Sequence, residues 1–241
     1  MYSPGPDGLL GGESFMGDFK FSDTTVRHAF IRKVYSLLTV QIAITLALIA
    51  LVSYHEPARV FMQAHPEVWW IAFALMLVTI IGMACCPGVR RRSPLNLVFL
   101  LVFTLAQGFM LAALAATYNR DLVLMAVGLT AAVCLALTLF ALQTKWDFTM
   151  CGGALLVAAV VLMVFGIVAI CVPGKTVVLV YASLASLLFG FYLVFDTQVM
   201  LGGAHKYAVS PEEYVFATLT LYLDVVNIFV NILTILRLVR D

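Results

Sequence analysis

Uninterrupted apolar runs of about 20 residues recur along this sequence, and no other feature narrows the choice of fold so sharply. Such runs belong in hydrocarbon, where every backbone N–H and C=O must find its partner inside the protein, and only helices and closed barrels meet that demand. The runs are continuously apolar instead of alternating, which selects helices. With 63% hydrophobic and 11% charged residues and a mean hydropathy of +1.05, the chain also lies outside the composition of soluble domains. The sequence predicts an all-α membrane protein, a bundle of seven transmembrane helices.

Reading from charge to charge places the spans at Val34 to Tyr54, Val68 to Cys86, Leu95 to Tyr118, Leu122 to Leu142, Met150 to Val172, Val177 to Leu201 and Tyr214 to Leu236. Interfacial aromatics such as Tyr54, Trp69, Trp70, Trp146 and Tyr207 stand near their ends. Gly and Pro mark the breaks at "CPGVRRRSP", "VPGK" and "LGGAHKYAVSP". The connections are short, the longest lying around "HEPARVFMQAHPE" and from Gly202 to Glu213, so they leave no room for a soluble catalytic domain. Residues 1–25, rich in Gly, Pro and acidic side chains, read as a disordered cytosolic tail instead of a signal peptide, and residues 26–241 as the membrane domain. With the N-terminus inside, nine Lys and Arg fall on the cytosolic side and five on the other, the sign that basic residues favour. Arg237 and Arg240 dissent, and a re-entrant last segment would bring them inside.

Of the 13 acidic residues, eleven fall in tails, loops or helix starts. Asp196 and Asp224 do not; they lie within the last two spans. A charged carboxylate at the bilayer centre costs roughly 2.5 to 3.5 kcal/mol on insertion scales, which makes each a functional candidate. Asp196 stands five residues from the end of its span and Asp224 ten from the start of the next, depths of about 8 and 15 Å from the same face. Two carboxylates in a dry interior do not readily ionise together and tend to share a proton. No Lys or Arg lies within the spans to neutralise them. When both are charged they must separate or recruit a cation, and hard ions such as Ca²⁺ prefer oxygen ligands. Asp196 and Asp224 are therefore the expected gate and pH sensor, and a transient Ca²⁺ site.

In the last span Thr220, Asp224, Asn227, Asn231 and Thr234 recur at steps of four, three, four and three, one face of a helix. This stripe must face protein or water, either as an interhelical hydrogen-bond ladder or as the wall of a hydrated path. Gln107 of the third span is a further candidate for pore lining, and Thr104 beside it reads as a packing contact. "SPEEY" reads as a capping box at the start of the last helix, with Ser210 as cap and Glu213 three residues on. The five cysteines show no metal-ligand spacing; Cys85 and Cys86 read either as small core residues or as sites for acylation beside three arginines. The four histidines are scattered and show no metal-binding pairing.

Five ordered blocks, "VRHAFIRKVYSLLTVQ", "RRRSPLNLVFLLVFTLAQGFM", "FALQTKWDFT", "VYASLASLLFGFYLVFDTQVMLGG" and "SPEEYVFATLTLYLDVVNIF", resemble the lifeguard branch of the Bax inhibitor family of transmembrane proteins. The resemblance runs from about Val26 to Leu236. It implies a bundle with the last helix central, surrounded by the other six. It further implies Ca²⁺ leak from intracellular stores, pH sensitivity and suppression of cell death, in endoplasmic reticulum, Golgi or endolysosomal membranes. The family's aspartate pair falls on Asp196 and Asp224. Bacterial members place a basic side chain in the second span against that pair, and this chain has none there; Gln107 stands where many members carry glutamate. The expected partners are the bilayer, Ca²⁺ as permeant ion and membrane proteins of the cell-death machinery, with no nucleic acid and no cofactor. Intramembrane aspartyl proteases also set aspartates on consecutive helices, but the GxGD and PAL motifs are missing, so no enzyme is expected. A non-conducting scaffold remains the competing reading.

Overall fold

The computed structural model describes residues 11–172, 174–202 and 213–240. The described chain runs α1 Gly11–Tyr54, α2 Glu56–Ala64, α3 Pro66–Cys85, α4 Pro87–Arg91, α5 Leu95–Ala116 and α6 Arg120–Gln143. A 3-10 turn at Phe148–Cys151 then leads into α7 Gly152–Cys171, followed by α8 Lys175–Leu201 and α9 Tyr214–Arg240. Among the described residues seven helical stretches are long and apolar enough to cross a membrane: Thr25–Tyr54, Pro66–Cys85, Leu95–Ala116, Arg120–Gln143, Phe148–Cys171, Lys175–Leu201 and Tyr214–Arg240. Each coincides with one expected span, most of them longer than expected by up to several residues.

α9 is the centre of the bundle. Half of its apolar stretch is buried, against 11% for the fifth span and 17% for the second. The reason is in its side chains: a helix carrying Asp and two Asn must be covered by protein, whereas lipid serves the all-apolar α3 and α7 equally well. α9 packs on α1, α5, α6 and α8, while α3 packs on α5 and α7 on α8. The surrounding ring is thus four helices, with the second and fifth spans outside it, where the resemblance implied six.

Small residues set the helix spacing. On α5 the run Ala106, Gly108, Ala112, Ala115 and Ala116 is buried, letting α1 and α5 approach closely. A methyl group at Gly108 would meet Leu48 Cδ1 of α1 at 2.7 Å.

Three further elements differ from the sequence reading. The helical backbone of α1 reaches back to Gly11, into the segment expected as a tail; extending an anchored helix adds a bond per residue without renewed nucleation. Residues 1–10 lie outside the described residues. The connection after the first span is itself helical: α2 is capped by His55, whose ring accepts from the Ala58 N–H at 3.3 Å. Arg59 and Gln63, four apart on one face of α2, donate to the Ala116 carbonyl at 3.0 and 2.8 Å, covering the orphan end of α5 where the helix dipole favours a cation.

The last helix crosses fully. α9 is continuous for 27 residues, about 40 Å of rise, with Tyr214 under Lys33 at one end and Arg237 over the Tyr118 ring at the other. A re-entrant last segment is therefore replaced by a seventh span, and Arg237 is accommodated by an aromatic face.

Gly108→Leu should destabilise the protein by about 1 to 3 kcal/mol by forcing α1 off α5. The same change at Gly128, where an added methyl meets nothing within 4 Å, should stay within about 0.5 kcal/mol. Thermal unfolding in detergent micelles measures both; equal losses would contradict the packing described.

Candidate functional site

α8 and α9 are antiparallel neighbours, and their facing surfaces bring Asp196 and Asp224 together. The two carboxyl groups are in side-chain contact, and Thr220, one turn before Asp224, joins Asp196 from the same helix. Asp224 is only 4% exposed, and its Oδ2 has no partner among the described residues. A carboxylate is acceptor-only, so two carboxyls hydrogen-bond only when one carries a proton. Neither makes an ion pair with a described Lys or Arg. Tyr192 of α8 and Cys134 of α6 are the nearby titratable side chains.

The rest of the polar stripe bonds within α9 and not across to a neighbouring helix. Asn227 Nδ2 donates to the Leu223 carbonyl at 2.7 Å, Asn231 Nδ2 to Asn227 at 2.8 Å and Thr234 Oγ1 to Val230 at 2.8 Å. These bonds turn back onto α9 itself, so the stripe satisfies its donors without a partner helix. Gln107, on α5, is partly buried and takes no part in them.

The end of the bundle nearest the pair is closed by a ring of polar contacts. Asn96 Nδ2, at the start of α5, donates to the Tyr214 hydroxyl at 3.0 Å. Lys33 Nζ sits 3.4 Å from the centre of the Tyr214 ring, Arg91 pairs with Glu213 at 2.7 Å, and Arg27 donates to the Met200 carbonyl at 3.3 Å. Glu213, read as capping-box chemistry, pairs with Arg91 of α4; the other residues of that motif, Ser210, Pro211 and Glu212, lie outside the described residues.

Two clusters were not singled out from the sequence. Gln41 and Thr45 of α1 bond Thr104 of α5 and Tyr222 of α9 at 2.8 and 2.7 Å, fastening three helices. Gln198, fully buried two residues after Asp196, accepts from the Phe148 N–H at 2.7 Å and donates to the Trp146 carbonyl at 2.9 Å, holding the α6–α7 connection against α8. A glutamine in an apolar span carries the same cost signal as an aspartate, only smaller, and Gln41 and Gln198 were legible on that ground. Cys85 and Cys86 are exposed, which removes the core reading. His65 engages Glu67 at 2.7 Å, and His205 lies outside the described residues.

Residues 27–241 match the family model described as Inhibitor of apoptosis-promoting Bax1. The chain belongs to the Bax inhibitor family, in its lifeguard branch. It is 39% identical to human Protein lifeguard 3 over 98% of this chain and 78% of the relative, and 40% identical to the mouse protein over 92% and 73%. A Golgi anti-apoptotic protein of Vaccinia virus (strain Lister) is 37% identical over 88% and 86%. Within this family member the contact between α8 and α9 is a buried acid pair held beside a closed end of the bundle.

Gln198→Ala should cost about 1 to 3 kcal/mol by leaving the Phe148 N–H without its acceptor. Hydrogen exchange followed by mass spectrometry should show faster exchange at residues 146–149 with α9 unchanged; unaltered exchange there would argue against the clamp.

Proposed function

We propose that this lifeguard-branch protein is a pH-sensitive Ca²⁺ leak channel of intracellular membranes that modulates store calcium and suppresses apoptosis, gated by Asp196 and Asp224. One observation carries the reading: two acids meet at a buried helix–helix contact with no Lys or Arg beside them among the described residues. With one proton between them the pair forms a charge-assisted bond across α8 and α9. Removing that proton sets two like charges in a poorly hydrated site. Adding a second removes the charge assistance. Either change loosens the contact between the two helices.

The donor set suits an ion in transit. Ca²⁺ takes six to eight oxygen ligands, and the pair with Thr220 offers fewer, so the site would attract the ion without retaining it. Among the described residues no cluster of three or more His, Cys, Asp or Glu offers a tighter site. The role in cell death draws support from the name of the viral relative, Golgi anti-apoptotic protein, which also favours a Golgi location. A cytosolic N-terminus follows from the distribution of Lys and Arg, and it would put the acid pair nearer the cytosolic face.

Ca²⁺ efflux from liposomes containing only this protein should pass through a minimum where the pair holds one proton and rise to either side. Asp196→Asn with Asp224→Asn should flatten that profile. A pH-independent wild-type flux would refute the gate, and inert liposomes would favour a non-conducting scaffold acting through protein partners. Tyr214→Ala, which removes the ring's contacts with Asn96 and Lys33, should raise efflux at every pH while leaving the minimum in place. A displaced minimum would mean that Tyr214 belongs to the sensor.

A further inference from the structure

An internal space adjoins α9 close to the acid pair, with Cys134 and Thr197, the neighbour of Asp196, in its lining. It has a volume of about 370 Å³ and is bounded by α1, α6, α8 and α9, with a single contribution, Leu111, from α5. That is within the roughly 300 to 1,000 Å³ of sites that hold one small molecule. α1 and α6 do not pack along one another, so the space opens between them toward the membrane; Leu46 and Leu135 at this mouth are 39% and 65% exposed. Along α1 the lining extends from Tyr35 to Ile49, about 21 Å of helix rise.

No charged side chain lines it. An anionic headgroup or a fatty-acid carboxylate would find no counter-charge there, and a neutral lipid would need none. The wall is stiff: Ile42, Ile49, Val127, Val225 and Val226 are β-branched, and Tyr222 and Phe229 present rings. A rigid occupant loses less conformational freedom on entry than a flexible acyl chain.

Two of the lining hydroxyls, on Tyr35 and Thr130, are buried without a partner among the described residues. Thr39, Thr45 and Thr197 donate their hydroxyl protons to carbonyls of their own helices at 2.8, 2.9 and 2.6 Å. Thr130 does not. It is 5% exposed, lines the cavity, and its Oγ1 has no partner among the described residues. The buried Tyr35 hydroxyl lies close to Thr197 and likewise has no partner in hydrogen-bond geometry among the described residues. The two stand at different depths. Tyr35 is two residues from Lys33 at the closed end of the bundle, and Thr130 is near the middle of α6.

We propose that this cavity binds a sterol bearing a second hydroxyl on its side chain, entering from the bilayer between α1 and α6, with one hydroxyl near Tyr35 and the other at Thr130. The ring system fills the apolar length between the two polar points. Occupancy would also brace the face of α9 adjoining Asp224, because Tyr222, Val225 and Val226 flank that residue in sequence and line the cavity.

The test uses the full chain in phosphatidylcholine nanodiscs with a diazirine-bearing cholesterol probe, and adducts are mapped by peptide mass spectrometry. Labelling is expected within residues 35–49 and 127–138. A side-chain hydroxylated cholesterol should compete at about five-fold lower concentration than cholesterol, the size of one added hydrogen bond. Thr130→Val should abolish that preference while leaving competition by cholesterol intact. Leu135→Trp, at a residue already exposed, should block labelling without disturbing the packed core. Adducts scattered over α3 and α7 without competition would overturn the site. Equal competition by the two sterols in the unaltered protein would overturn the two-point recognition, and competition by a monoacylglycerol as strong as either sterol would overturn the assignment to a rigid ligand.

Discussion

A carboxyl group in hydrocarbon must be covered by protein, and much of this structure follows from that requirement. Asp224 cannot face lipid without a cost of a few kcal/mol, so the helix that carries it is driven to the interior. Asn227 and Asn231 reinforce the choice, and the result is a last helix with half of its apolar stretch buried. The helices without such groups, α3 and α7, are left on the outside, where lipid is as good a neighbour as another helix. Burial order in this bundle therefore tracks polar content, not hydrophobicity.

The same requirement explains how the bundle is fastened. Without a hydrophobic force between helices in a bilayer, small residues and hydrogen bonds hold them. Ala106, Gly108 and Ala112 bring α5 close to α1, and Gln41, Thr45, Thr104 and Tyr222 bond three helices at one level. Each end is finished differently. Nearest the acid pair, Lys33, Asn96, Arg91 and Glu213 converge on the start of α9. At the far end α2 lies across the terminus of α5, and Arg237 rests on Tyr118. The acid contact sits below the first of these closures, between helices already tied at that end.

How much of this was readable in the sequence varies by residue. Asp196 and Asp224 stood out because their cost is a property of the side chain and the span, and their meeting follows from helix parity and rise. The order of spans was legible for the same reason. Gln198 was passed over because a neutral amide in a span announces itself weakly, although it holds the α6–α7 connection through two bonds. The polar stripe was correctly placed on one face, but periodicity does not say where a donor points. Asn227, Asn231 and Thr234 turn to their own helix carbonyls, a local choice that competes with any bond across the interface. The helical form of α2 was also missed, because nine residues are too few for apolar periodicity to register.

By itself, the sequence determined the solvent, the secondary structure, the number of crossings and the two costly acids, because each is a sum over local properties along one segment. The tertiary structure alone decided which helices touch. It placed α3 and α7 outside the ring, set the two carboxyls in contact, and left α1 and α6 apart so that a cavity with unpartnered hydroxyls opens between them. Those outcomes depend on the shapes of small-residue faces and on which donors remain unsatisfied after packing, quantities that exist only once distant segments meet.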